Sequence, residues 1–384
     1  MRRFLFSDSA VPSPAPRGLT RRQGLRLGLV AGLLAGAADP FAQWPRLGAA
    51  QALPLRTLQF PRDHGSHPDF QTEWWYVTGQ LETAPGQPAY GFQVTFFRSR
   101  IASTQTLDSA FAAKQLLFAH VAVTDVAAGR LHHDQRMARA GQGLAEAGEH
   151  DMDVFIGPWR LASEAAGRHH ARIEGEAIGL DLVFEDSQPL LLQGDQGLSR
   201  KGPLPEQASY YYSRPQLRVQ GSLRLGNAAA VKVAGTAWLD HEWSQALLAR
   251  DAEGWDWMGM NLHDGSALTV FQLRRADGTA LWTGGSWRPA GGAARIFAPG
   301  ELVWQPGRIW TSARSGARYP VEWTVATPAG RFGVQALVDD QELDASASTG
   351  GIYWEGLSRL TRNGQAAGAG YLEMTGYHSP LRVR

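Results

Sequence analysis

Three short stretches of this chain gather side chains that can move protons beside an apolar ligand. The first is Asp63-His64-Gly65-Ser66-His67-Pro68, with Glu73-Trp74-Trp75-Tyr76 close behind. The second is Tyr210-Tyr211-Tyr212-Ser213-Arg214-Pro215. The third is Trp238-Leu239-Asp240-His241-Glu242-Trp243-Ser244, followed by Trp255-Asp256-Trp257. A carboxyl or imidazole set among Trp and Tyr is desolvated, which can hold an acid protonated and ready to donate. Electron-rich ring faces can also stabilise a cationic intermediate. Asp240, His241 and Asp256, between Trp238, Trp243, Trp255 and Trp257, have the residue types for that chemistry. The plain alternative is architectural, since strand Trp and Tyr usually fill cores and Asp-His pairs often brace a barrel end.

Two other chemistries are weighed and set aside. His64 and His67, with His241 and Glu242, offer nitrogen and oxygen ligands. Yet Gly65 and Pro68 deny this segment a regular helix, and neither HExxH nor HxH occurs near it, so no metal is expected. A serine hydrolase would need a nucleophile elbow, and no G-x-S-x-G is present. Ser213 and Ser244 lie near acidic and aromatic residues only in sequence.

The elements that must position these residues read as strands. Tyr90 to Arg98 alternates, with Phe92, Val94 and Phe96 on one face and Gln93, Thr95 and Phe97 on the other. Glu73 to Glu82, Leu116 to Thr124, Leu180 to Glu185, Leu217 to Leu225, Trp255 to Leu262, Leu268 to Arg274 and Glu322 to Thr327 repeat the pattern between turn signals. The chain has 14 Trp, 15 Phe, 9 Tyr and 44 Gly in 384 residues, a usage that favours sheets over helices.

A weak internal repeat divides the chain. Trp74 to Leu81 parallels Trp255 to Leu262, and each copy leads through a turn to an aromatic strand ending in arginine, Arg98 or Arg274. Val233 to Asp240 resembles Ala367 to Thr375. Each half would open with a Trp-rich strand and close with a Gly-started one, so two tandem barrels, closed on themselves, fit better than one open sheet. The expected units are 56–245 and 246–384, meeting near Gln245 to Gly254. In this reading the second half has Thr375 and Gly376 where the first has Asp240 and His241, so the first barrel or the junction is favoured for the site.

Composition narrows the partners. There is no cysteine, which excludes disulfides, thiol nucleophiles and cysteine-ligated metals. Lys+Arg number 37 and Asp+Glu 36, so no field for nucleic acid is implied. Arg21-Arg22, followed by the uncharged run Leu27 to Ala38, predicts a Tat-type export signal within 1–43. That run is well short of the ~20 apolar residues of a membrane span, so a periplasmic or secreted protein without a permanent anchor is expected.

The ordered motifs D-H-G-x-H-P, E-W-W-Y, Y-Y-S-x-P, W-L-D-H-E-W-S and G-W-D-W resemble the AttH/CrtC family over about Leu58 to His378. That family includes carotenoid 1,2-hydratases and many predicted secreted hydrolases. The resemblance implies an all-β fold of two tandem lipocalin-like antiparallel barrels. It also implies acid-catalysed hydration of a C=C bond, in which a carboxylic acid protonates the alkene and water captures the carbocation. The family's His-x-Trp motif matches His241-Glu242-Trp243, and its aromatic-Asp motif falls at Trp255-Asp256-Trp257, where tryptophan stands in place of tyrosine. The D-H-G-x-H and E-W-W-Y run is closer to the secreted AttH branch than to the pigment enzymes.

The expected catalytic set is therefore Asp240, His241, Trp243 and Asp256. His64, His67, Glu73, Trp74, Trp75, Tyr76, Tyr211, Tyr212, Trp255 and Trp257 are expected to contact an isoprenoid, polyene or lipid-like molecule. Hydration needs no cofactor. The alternatives are a non-catalytic carrier of a hydrophobic ligand and a secreted hydrolase.

Overall fold

In the structure, a computed structural model, residues 52–86, 89–246, 248–249 and 251–381 are described. The expected export signal, 1–43, lies outside them. Nearly every element is an antiparallel strand, and the strands fall into two large sheets.

The first sheet opens with the long strands β1 (Thr72–Glu82), β2 (Tyr90–Arg100), β3 (Gln115–Asp125) and β4 (Arg130–Arg139). Shorter strands follow: β5 (Ala145–Ala147), β6 (Asp153–Ile156), β7 (Trp159–Ala165), β8 (Arg168–Glu174) and β9 (Ile178–Glu185). The short β10 (Leu191–Leu192) and β11 (Leu198–Arg200) lead to β12 (Ala208–Leu225) and β13 (Val231–Ser244). Their order is β4-β3-β2-β1-β13-β12-β9-β8-β7-β6-β5, with β10 and β11 added along β12. The sheet curls until it is nearly a closed barrel.

The second sheet begins with β14 (Gly254–Leu262), β15 (Ala267–Arg274), β16 (Ala280–Arg288), β17 (Arg295–Phe297) and β18 (Val303–Pro306). A separate ribbon of β19 (Ile309–Thr311) and β20 (Arg318–Pro320) interrupts it. It resumes with β21 (Glu322–Thr327), β22 (Gly330–Ala336), β23 (Glu342–Ala345), β24 (Gly351–Arg362) and β25 (Gln365–Met374). The order is β17-β16-β15-β14-β25-β24-β22-β21-β18, with β23 beside β24. The fold is thus all-β, in two tandem lipocalin-like antiparallel barrels.

In each half the opening strand pairs with the closing one, β1 with β13 and β14 with β25. The register sets Tyr76 opposite Asp240 in the first half and Trp257 opposite Glu373 in the second. Given that Trp74 and Trp255 are equivalent, the counterpart of Asp240 is Glu373, and that of His241 is Met374. This shifts by two residues the equivalence with Thr375 and Gly376 expected from sequence. The second barrel therefore carries an acid where the first does.

Strand alternation decides what each side chain meets. On β1, Trp75, Val77 and Leu81 join the interior of the first barrel. On β14 and β25, Met258, Met260, Leu372 and Met374 fill the second. The residues between them turn outward and form a third apolar cluster that includes Tyr76, Trp238, Trp257, Phe271, Leu357 and Tyr371. This cluster draws on both barrels, so it is the seam between them. Gly91 permits close approach there, because a Cβ at this position would come within 2.7 Å of both Leu357 Cβ and the Tyr371 hydroxyl.

Candidate active site at the seam

The residues singled out from sequence separate into three groups. The largest lies inside the first barrel and centres on Glu73, which is fully buried. Its carboxylate accepts from Arg98 Nε at 2.8 Å and from the His67 backbone N–H at 2.8 Å. His67 Nδ1 lies 2.7 Å and His241 Nε2 3.0 Å from the other Glu73 oxygen, Oε1. Asp63 meets the other ring nitrogen of His67 at 3.0 Å. The rings of His67 and Trp243 stack at 3.9 Å, and those of Trp75 and His241 at 4.8 Å.

Charge is well matched within this group. Burial raises the Glu73 carboxyl, but hydrogen bonds with His241 and His67 and the Arg98 charge outweigh it and hold the group below the usual carboxylate range. Asp63 is likewise held down to about 2, its bonds with His67 and Gln59 overcoming burial. His64 bonds Tyr212 at 2.7 Å through Nδ1 and meets Arg214 at 2.8 Å through Nε2. Burial, then the Arg214 charge, lowers it to about 3, so it stays neutral.

His67, Glu73 and His241 bring three metal-type donor atoms within 4.8 Å of one another. A metal would compete there with Arg98, which already occupies Glu73. Both ring nitrogens of His67 and of His241 also have protein oxygen partners. The donor set is thus satisfied from within, and it fits a brace across β1, β2 and β13 better than a metal cradle.

Asp256 belongs to the second group, inside the second barrel. It pairs with Arg274 Nε at 2.8 Å and accepts from Gln272 at 2.7 Å and the Tyr377 hydroxyl at 2.9 Å. Arg98 lies near the end of β2 and Arg274 ends the equivalent β15, so each barrel sets an arginine on a buried acid. Burial raises Asp256, and the Arg274 charge opposes that.

The third group is the seam, where Asp240 faces the second barrel. Its carboxyl accepts from Tyr211 at 2.7 Å, Ser213 at 2.6 Å and Trp238 Nε1 at 2.7 Å. Trp257 Nε1, from the second barrel, donates to the Tyr211 hydroxyl at 3.1 Å. The Tyr76 ring meets Trp257 edge-on at 5.3 Å. Burial pushes Asp240 up to about 7 although its three donors favour the anion, and Glu242 adds to the rise. Glu242 itself pairs with Lys201 at 2.9 Å, and the Lys201 ammonium lies over the Tyr211 and Phe271 rings.

Asp240 and His241 therefore do not act in one place. Trp74, Tyr76, Tyr211, Trp255 and Trp257 accompany Asp240 on the seam side, while Trp75, Tyr212, His241 and Trp243 point into the first barrel with His64, His67 and Glu73. Sequence reasoning passed over several seam residues. Glu355 and Glu373 are direct partners across β24 and β25, and Tyr353 bonds His120 at 2.9 Å across the seam. The repeat held one signal for them, since Tyr371-Leu372-Glu373 aligns with Trp238-Leu239-Asp240.

Two antiparallel barrels with an acid-bearing aromatic seam define a tandem-lipocalin protein. The AttH-like family model matches residues 51–377, and the chain belongs to that family. An AttH-type protein from Nitrosomonas europaea is similar in structure, with 48% identity over 85% of this chain and 99% of the other, and a TM-score of 0.79. Kievitone hydratase from Nectria haematococca shares the fold at 15% identity, covering 87% and 95% of the two chains with a TM-score of 0.62. CghA shares it at 13% identity, over 80% and 88%, with a TM-score of 0.51. No curated protein matches the sequence.

Proposed function

We propose that this is an exported AttH-type enzyme that adds water across a C=C bond of an apolar, isoprenoid or other lipid-like molecule at the seam between its barrels. The observation that carries the reading is Asp240, a buried carboxyl raised to about 7 and walled by Tyr211, Trp238 and Trp257. A neutral acid in an apolar, aromatic setting suits protonation of an alkene carbon. The alkene π pair forms the new C–H bond as the Asp240 O–H bond breaks, and the resulting carbocation lies against Tyr and Trp faces. Water then adds to the cation. Trp74, Phe97, Trp255 and Tyr353 are half-buried aromatic residues. The hydratase among the proteins of this fold is consistent with such chemistry.

Asp256 is a poorer donor, because its salt bridge to Arg274 favours the anion. His241 acts at a distance, by fixing β13 through Glu73. The twin arginine and short apolar run support export. A carrier without catalysis is the second reading, favoured by the three hydrogen bonds that already satisfy Asp240.

Incubation of the mature protein with lycopene and other acyclic polyenes, with products read by mass spectrometry, separates the two. A product heavier by one water supports hydration. Binding without product, unchanged by Asp240→Asn, supports the carrier.

A further inference from the structure

Among the described residues, the buried acids are matched to donors with one exception, Glu355. Asp63 has Arg56, Glu73 has Arg98, Glu242 has Lys201 and Asp256 has Arg274. Glu342 accepts from Ser312 and Ser315, and Asp240 has its three donors. Glu355 and Glu373 stand directly opposite one another on β24 and β25, and among the described residues neither carries an ion pair. Glu355 is 3% exposed and its Oε1 has no hydrogen-bond partner. The Tyr76 hydroxyl, on the facing barrel, lies beside Glu355 as a donor available to it, although the two fall outside strict hydrogen-bond distance and angle. Glu373 is half-buried beside Trp255 at the rim of the seam.

We propose that Glu355 and Glu373 share one proton and that the unpartnered Glu355 Oε1 binds the attacking water and takes its proton, acting as the base to Asp240 as the acid. The proposal rests on the hydration reading. In the step, the water oxygen forms its bond to the carbocation, its O–H bond breaks, and that proton passes to the carboxylate. Asp240 has lost one proton and the pair has gained one, so exchange with solvent at the rim resets both. Two bare carboxylates side by side repel, and neither has a cation to offset burial, so one proton must be retained. An unpartnered, buried acceptor oxygen marks the place of a missing donor, and a water or an alcohol hydroxyl supplies it.

Groups facing the pair are Tyr76 on β1, Tyr353 on β24 and Tyr371 on β25, with the acids Asp240, Glu242 and Asp256 further off. Burial raises both; the Glu373 charge adds to the rise of Glu355, and the charges of Asp240, Glu242 and Asp256 add to that of Glu373, which reaches about 8. A folded value above the unfolded one gives stability that is full at low pH and lost as pH rises through about 8.

The test measures thermal unfolding from pH 5 to 9 for the wild type, Glu355→Gln, Glu373→Gln and Tyr76→Phe, with Asp240→Asn beside them because Asp240 contributes a loss of the same sign. The wild-type Tm is expected to fall toward pH 9. Either Gln variant should flatten that fall, and Tyr76→Phe should keep it. In the polyene assay each Gln variant should lower kcat by about 10²–10⁴-fold with little change in KM. Unaltered pH limbs, or an active wild type whose Gln variants keep their kcat, would overturn the proposal. A wild type that hydrates no polyene would instead contradict the functional reading, and the base role with it.

Discussion

Asp240 and His241 are adjacent on β13 and serve opposite faces of it. Asp240 accepts from Trp238 and Tyr211 at the seam, and His241 meets Glu73 inside the first barrel. A period of two residues produces this split. It assigns the chemistry to one face and the bracing to the other, so mutations at the two positions should fail in different ways.

On the bracing side, Arg98→Met leaves the Glu73 carboxylate buried without its cation. Breaking such a pair from one side costs about 3–5 kcal/mol. Denaturant unfolding should show a loss of that order with the m-value unchanged. A loss below about 1 kcal/mol would mean the pair behaves as an exposed one.

His120 should make the protein sensitive to acid. Burial lowers it to about 3, and its ring nitrogens are taken by Tyr353 at 2.9 Å and Ser348 at 2.8 Å. A histidine depressed on folding gives stability that is complete above its unfolded value of 6.5 and is lost as pH falls toward about 3. His120→Gln should therefore lose less stability than the wild type between pH 6 and 4, read as Tm against pH.

Gly91 tests how closely the barrels meet. Its missing Cβ leaves room for Leu357 and Tyr371. Gly91→Val should cost about 1–3 kcal/mol by overpacking and also weaken polyene binding, measured by quenching of seam tryptophan fluorescence. Gly86, which has nothing within 4 Å of an added Cβ, provides no comparable wedge.

Much of the fold was legible because strand alternation and the Trp-rich repeat are local patterns. Trp74 to Leu81 and Trp255 to Leu262 do open the two sheets as β1 and β14, and their closing strands pair with them. The division of the motif residues was less visible. Glu73 and His241 are 168 positions apart, and only pairing of β1 with β13 makes them partners. Glu355 and Glu373 gave little warning, since a lone Glu in a strand usually marks a solvated face. It is burial at the seam, beside Tyr76, Tyr353 and Tyr371, that takes Glu355 out of bulk solvent.

The most direct test of the account is the pH dependence of turnover on a polyene that the wild type hydrates. Asp240 must be protonated to donate, so kcat should be high below about pH 7 and fall above it. Asp240→Asn should lower kcat by about 10²–10⁴-fold and abolish that fall while polyene binding persists. A wild-type rate that is flat or rising through pH 7, or an Asp240→Asn variant with full kcat, would contradict it.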